Sequence, residues 1–98
     1  MIRHLIVFNI RPGATHEECL AMAELARQEL AQIPDVMDIS FGTSLAENAR
    51  YRYTLVIDLR NEQALHLYRD HPLHVAFADT HFRPLATDRI TTDYELVY

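Results

Sequence analysis

An α+β fold is what the sequence predicts, and three observations carry it. Four segments have strand character, from β-branched content in the first and from alternation of apolar and polar residues in the other three. One long segment repeats apolar residues at helical spacing behind a capping box. A further helical region is split by a proline, Pro72. With 98 residues, 49% of them hydrophobic and 23% charged, the chain is expected to form one domain over residues 1–98 with a modest core.

The elements follow in order. Arg3 to Ile10 is predicted as a strand, with His4, Ile6, Phe8 and Ile10 on one face and Arg3, Leu5, Val7 and Asn9 on the other. Both faces carry apolar residues, so both are expected to be covered. Arg11-Pro12-Gly13 turns the chain. Thr15 to about Gln32 is predicted as a helix. Thr15 and Glu18 form its capping box, and Glu17 and Glu18 lie at the positive end of the dipole. Cys19, Met22, Ala23, Ala26, Leu30 and Ile33 make its buried stripe, and Pro34 ends it.

Val36 to Thr43 and Tyr51 to Leu59 are the next two strands, an antiparallel hairpin with a long tip at Ser44 to Arg50. Asn61 caps a short helix running to about Arg69. His71 precedes a proline and is biased away from helical geometry. Pro72 then opens a second short helix, capped by Asp70 or His71, that reaches about Phe82. Ile90 to Tyr98 is the final strand.

The order βαββααβ allows a four-stranded antiparallel sheet with the helices on one face, which is the ferredoxin-like arrangement. The opposite face would carry Leu5, Val7 and Val56 among Arg52, Thr54, Asp58, Asp38 and Ser40. A half-apolar face with no helix left to cover it suits a subunit interface, so a homodimer through this face is expected.

Composition removes several function classes. Lys+Arg is 9 against Asp+Glu 14, a formal charge of −5, which disfavours nucleic acid and anionic membranes. All the basic residues are Arg, so Schiff-base chemistry and a phosphate-loop lysine are excluded. Gly13 and Gly42 are the only glycines, too few for a nucleotide cradle. Cys19 is the single cysteine, which fits a reducing cytoplasm, and no apolar run is long enough to span a membrane. A cytoplasmic location and no bound cofactor are expected.

Four of the six histidines fall between residues 66 and 81: His66, His71, His74 and His81. Histidine titrates near neutrality, so the cluster points to acid–base or metal chemistry. His74 and His81 are two helical turns apart, roughly 10 Å along the axis, too far to share one ion. No third ligand stands out, and a metal site is not expected. The acid–base reading places Tyr68 and His74 on either side of the break at His71-Pro72, with His4 as a third polar group on the helix-covered face of the first strand. The same residues also read as a core tyrosine, a helix-start histidine and a satisfied core histidine, and the pattern leaves both readings open. Ile6, Phe8, Tyr53, Leu55 and Ile57 from the strands, with Phe77 and Leu85 from the closing segments, are expected to line one apolar cavity whose polar end is Tyr68 and His74.

Several of these motifs together resemble the stress-responsive α/β-barrel (Dabb) domain family of the dimeric α+β barrel superfamily. They are Arg3-His4-Leu5-Ile6-Val7-Phe8, Ile33-Pro34-Asp35-Val36, Gly42, Tyr68 followed by His71-Pro72-Leu73-His74, Phe77, Arg83-Pro84-Leu85 and Asp93-Tyr94. The resemblance implies a ferredoxin-like subunit whose sheet meets a second copy in a dimeric α+β barrel, with a cavity for a small hydrophobic molecule. Some plant members of this family are cofactor-free polyketide cyclases that use a Tyr and the second His of the motif, here Tyr68 and His74. The function expected on this basis is cofactor-free chemistry, of cyclase or lyase type, on an enolisable carbonyl substrate. His74 would be the general base, and Tyr68 would donate a hydrogen bond to the enolate oxygen. The alternatives are a non-catalytic, stress-associated binding dimer and a cofactor-less monooxygenase.

Overall fold

The computed structural model describes residues 1–98. Strand β1 (Ile2–Ile10) leads into helix α1 (His16–Leu30), the hairpin strands β2 (Val36–Thr43) and β3 (Tyr53–Leu59), and helices α2 (Glu62–Asp70) and α3 (Pro72–Phe77). One π-helical turn (Ala78–Phe82) and strand β4 (Ala86–Glu95) complete the chain. The strands form one antiparallel sheet in the order β2-β3-β1-β4, the ferredoxin-like arrangement.

Local chemistry sets most element boundaries. Gly13, at φ +88°, closes the turn before α1 in a region that side chains disfavour. The Thr15 hydroxyl then accepts from the Glu18 amide at 3.1 Å, a cap that typically contributes ~1 kcal/mol. Asn61 caps α2 in the same way, accepting from the Ala64 amide at 2.9 Å. The cap of α3 is His71 rather than Asp70, its Nδ1 accepting from the Leu73 amide at 3.1 Å.

Four boundaries differ from the sequence reading. Helix α1 ends at Leu30, because the Gln32 and Ile33 amides bond three residues back, to Glu29 and Leu30. Strand β3 starts at Tyr53, because the Arg52 amide is taken by the Asn9 side chain. The helix after Pro72 does not run regularly to Phe82, since the Arg83 amide bonds the Ala78 carbonyl five residues back in a widened turn. Strand β4 begins at Ala86 and ends at Glu95, because Ala86 and Thr87 pair with Ile10 and Asn9, ahead of a bulge at Asp88 and Arg89, before regular pairing resumes at Ile90.

The core lies between the sheet and the helices. Phe8, Leu55, Ile57 and Leu59 from the sheet meet Cys19, Met22, Ala26 and Leu30 of α1, with Leu65, Tyr68, Phe77 and Phe82 closing the far side. Burial pushes the Cys19 thiol up to about 11, so it packs as an apolar group and holds its proton. The other sheet face has no helix over it. Cross-strand pairing there lines up Leu5 with Val56 and Thr92, and Val7 with Thr54 and Ile90. Beside them Arg3 grips Asp58 through two parallel bonds of 2.9 and 3.0 Å. No helix is long and apolar enough to cross a membrane.

Candidate functional site

The break at His71-Pro72 is what brings Tyr68 and His74 together. Tyr68 lies in the last turn of α2 and His74 in the first turns of α3, and His71, extended at ψ 134°, bends the chain between them. The two rings come to 4.4 Å between centres, tilted by 35°. His4, on β1, lies across from Tyr68 with ring centres 5.7 Å apart. Tyr68 thus stands between two imidazoles, only 1% exposed, and burial alone raises its pKa above the usual phenol value. It stays a neutral phenol throughout the physiological range.

Each imidazole is held through Nδ1. That of His74 lies 3.0 Å from the Arg69 carbonyl oxygen. A carbonyl only accepts, so neutral His74 carries its proton on Nδ1 and its lone pair on Nε2. The Nδ1 of His4 meets Asp93 Oδ1 at 2.5 Å, and the other carboxylate oxygen of Asp93 accepts from Arg69 at 2.8 Å. Arg69 therefore ties both histidines together: its guanidinium through Asp93 to His4, its carbonyl directly to His74. The pKa of His74 is lowered, first by burial, which disfavours the imidazolium, and further by the nearby charge of Arg83, against raising effects of the Arg69 carbonyl and Asp79.

Beside these rings opens a cleft of about 190 Å³. His4, His74, Arg83, Arg89 and Thr91 form its polar wall; Ile6, Ala78 and Phe82 form the apolar one. Three of these residues belong to or adjoin the π-helical turn, a device often found where a helix contributes to a site. Arg83 pairs with Asp79 on the same turn.

The expected apolar cavity is not present as such. Phe8, Leu55, Ile57 and Phe77 are packed into the continuous core and do not line the cleft. Tyr53 stacks on Phe8 at 5.6 Å and bonds His16 at 2.8 Å, well away from His74 along the sheet. Leu85 packs into the core and borders a separate groove with Arg11, Met22 and His81. The reason is volume: aromatic rings of the sheet and of the helices interdigitate, Phe8 with Phe82 at 5.2 Å, and leave no enclosed space. Of the expected lining only Ile6 reaches the cleft, together with His4 and His74, while Tyr68 stands behind the two imidazoles.

Sequence reasoning missed Asp93, Arg69, Arg83 and Arg89. Asp93 was within reach of it, since antiparallel pairing of the first and last strands sets His4 opposite Asp93. The remaining histidines have local roles. His71 is a cap, His66 faces Glu62 at 3.8 Å, and His81 lies near Glu29 at 4.0 Å and against Phe77. No three His, Cys, Asp or Glu side chains converge as a metal ion requires.

Comparison with known proteins agrees with this architecture. The model of the Stress Responsive A/B Barrel Domain (Dabb) family matches residues 2–96. A Dabb family protein with a ferredoxin-like fold from Mesorhizobium loti is 24% identical, with a TM-score of 0.84 over 99% of this chain and 97% of that one. A dimeric ferredoxin-like protein of unknown function from Thermobifida fusca is 28% identical, with a TM-score of 0.82 over 97% and 90%. The fold also recurs in a hydroxynitrile lyase from Passiflora edulis, 14% identical, with a TM-score of 0.78 over 95% and 90%. No curated protein matches the sequence.

Proposed function

This chain belongs to the stress-responsive A/B barrel domain family, and on that premise we propose that it is a homodimeric, cofactor-free enzyme that moves a proton at the carbon next to a small carbonyl group. The observation that carries the reading is the state of His74. Its Nδ1 is fixed by the Arg69 carbonyl, its imidazole is kept neutral by burial, and it forms part of an open cleft. A neutral imidazole with a free Nε2 is a general base near neutral pH.

The roles divide as follows. His74 Nε2 takes the proton from carbon, and the electron pair of that C–H bond moves into the carbonyl to give an enolate. Arg83, on the same cleft wall as His74, is assigned the stabilisation of that developing negative charge. Tyr68 is a positioning residue, because at 1% exposure it packs behind His74 rather than on the cleft wall. His4, oriented by Asp93, completes the wall. Lyase chemistry on a chain of this fold in Passiflora edulis is compatible with the reading. Sequestering an apolar ligand has less support, since core side chains fill the space between helices and sheet.

Dimerisation is proposed through the open sheet face; the ferredoxin-like protein from Thermobifida fusca, which this chain resembles in fold, is itself dimeric. Leu5, Val7 and Val56 are half-buried there, and β4 adds Ile90, 51% exposed, and Tyr94, 50% exposed. That interface leaves the cleft, on the helix side of the sheet, accessible.

Deuterium exchange tests the chemistry. The probe is methyl acetoacetate in D₂O, followed by NMR at a pD where buffer exchange is slow. The protein should accelerate exchange at the carbon between the carbonyls, and His74→Ala should not. No acceleration with this ester or with its parent acid, acetoacetate, or equal acceleration by the variant, overturns the reading.

A further inference from the structure

Proton transfer does not account for all the positive charge in the cleft. Of the nine arginines, Arg3, Arg27, Arg50, Arg60, Arg69 and Arg83 each pair with a carboxylate of the chain, whereas Arg11, Arg52 and Arg89 do not, and of these three only Arg89 lines the cleft. Arg89 pairs with none within 4.0 Å, although it lies on the cleft wall. Its guanidinium sits 5.8 Å from the centre of the Phe82 ring, a contact that holds the planar group without neutralising it. The wall contains two guanidiniums, two imidazoles and no carboxylate. The acids just beyond it are already engaged, Asp93 by His4 and Arg69, and Asp79 by Arg83. In a chain of net charge −5, such a cleft is a local attractor for an anion.

We propose that the cleft takes a small carbonyl compound bearing a carboxylate, with the carboxylate on Arg89 and the carbon acid facing His74. The proposal rests on the proton-transfer reading of the same site and adds the substrate class. Two features select the class. A free guanidinium presents parallel N–H donors that match the two oxygens of a carboxylate. A cleft of about 190 Å³ is also smaller than the ~300–1,000 Å³ of pockets that take drug-sized ligands, which favours a short keto acid over a polyketide chain. Arg83 and Arg89 then serve different oxygens. Arg83, at the end of the π-helical turn that follows the helix of His74, is assigned to the enolate, and Arg89, on β4 across the cleft, to the fixed anion.

A matched pair of probes separates this inference from the reading beneath it. Acetoacetate and its neutral ester, methyl acetoacetate, are titrated into the ¹⁵N-labelled protein and followed by chemical shift, and deuterium exchange of each is measured in parallel. Acetoacetate should bind in preference to the ester. Arg89→Gln should weaken acetoacetate roughly tenfold or more, as expected for loss of a hydrogen bond to a charged group, and weaken the ester far less. Folding of the variant is checked by its amide spectrum. Exchange of the ester by the wild type, with no preference for acetoacetate and no effect of Arg89→Gln, overturns the carboxylate assignment and leaves proton transfer standing. Arg89-dependent binding of acetoacetate without exchange of either probe supports the anion site and overturns proton transfer. Absence of both binding and exchange overturns both.

Discussion

Tyr68 and His74, six residues apart on two different helices, pack with ring centres 4.4 Å apart and planes tilted by 35°. One helix could not arrange them so, because six residues of regular helix separate side chains by roughly 9 Å along the axis and point them about 120° apart. The extended His71 and the proline after it fold the chain back, and the imidazole then reaches the Arg69 carbonyl at 3.0 Å. The geometry of the candidate base is thus a product of a helix break.

His74→Ala should lower the exchange rate of a responsive carbon acid by ~10²–10⁴-fold, the usual contribution of a general base. The half-buried ring touches solvent, so the variant should remain folded by circular dichroism. A variant that keeps its rate would remove His74 from the chemistry.

The pH dependence has a defined sign. The folded chain holds the pKa of His74 below its ordinary value of 6.5, mainly through burial. The base is therefore fully neutral above that value, and activity should fall only as pH drops through the lower, folded-state pKa. Stability follows the same direction. Between the two pKa values the unfolded chain binds more protons, so this contribution is complete above about 6.5 and is lost on acidification. Urea unfolding of the protein and of His74→Gln across that window should show a steeper acid loss in the wild type. Identical slopes would contradict the lowered pKa.

Tyr68 distinguishes positioning from catalysis. With its ring as the support for His74, Tyr68→Phe should stay within a few-fold of the wild-type rate and keep the same pH profile. Tyr68→Ala removes a buried aromatic side chain, which commonly costs ~3–5 kcal/mol, and should unfold at markedly lower temperature. A hundredfold loss in Tyr68→Phe, with stability intact, would instead make the hydroxyl a donor to the substrate.

Asp93→Asn should loosen both histidine supports at once, since one carboxylate bonds His4 and Arg69. The pair is partly solvated, with Arg69 about half exposed, so the stability loss should be near the low end for a charged hydrogen bond, about 1 kcal/mol. The His4 imidazole resonances should shift by NMR. If they do not, the His4–Asp93 contact is absent in solution.

Ile90→Asp, on the uncovered sheet face, should split the dimer into subunits of 11.4 kDa by light scattering, and leave the exchange chemistry of each cleft measurable. A wild-type mass already at 11.4 kDa sinks the proposed interface.

What the sequence determined alone was whatever depends on neighbours within a turn or two. Thr15 and Glu18 announce the first helix, Asn61 and Pro72 place the split pair, and period-two alternation assigns His4, Ile6 and Phe8 to the covered face. The resemblance resting on Tyr68 and the His71-Pro72-Leu73-His74 run also selected the family correctly. Only the tertiary structure decided the rest. Strand β4 opens on Ala86-Thr87-Asp88-Arg89, a stretch with no strand signal, because the free edge of β1 pairs with Ala86 and Thr87 before a bulge at Asp88 and Arg89. Asp93 meets His4 only through a register fixed by two strands 89 residues apart. Whether apolar residues enclose a cavity or fill it depends on how rings from distant segments interdigitate, and Phe8, Phe82 and Tyr53 fill it. Local patterns record which way a side chain points; contacts between remote segments settle what it meets, and that difference separates the legible fold from the site that had to be seen.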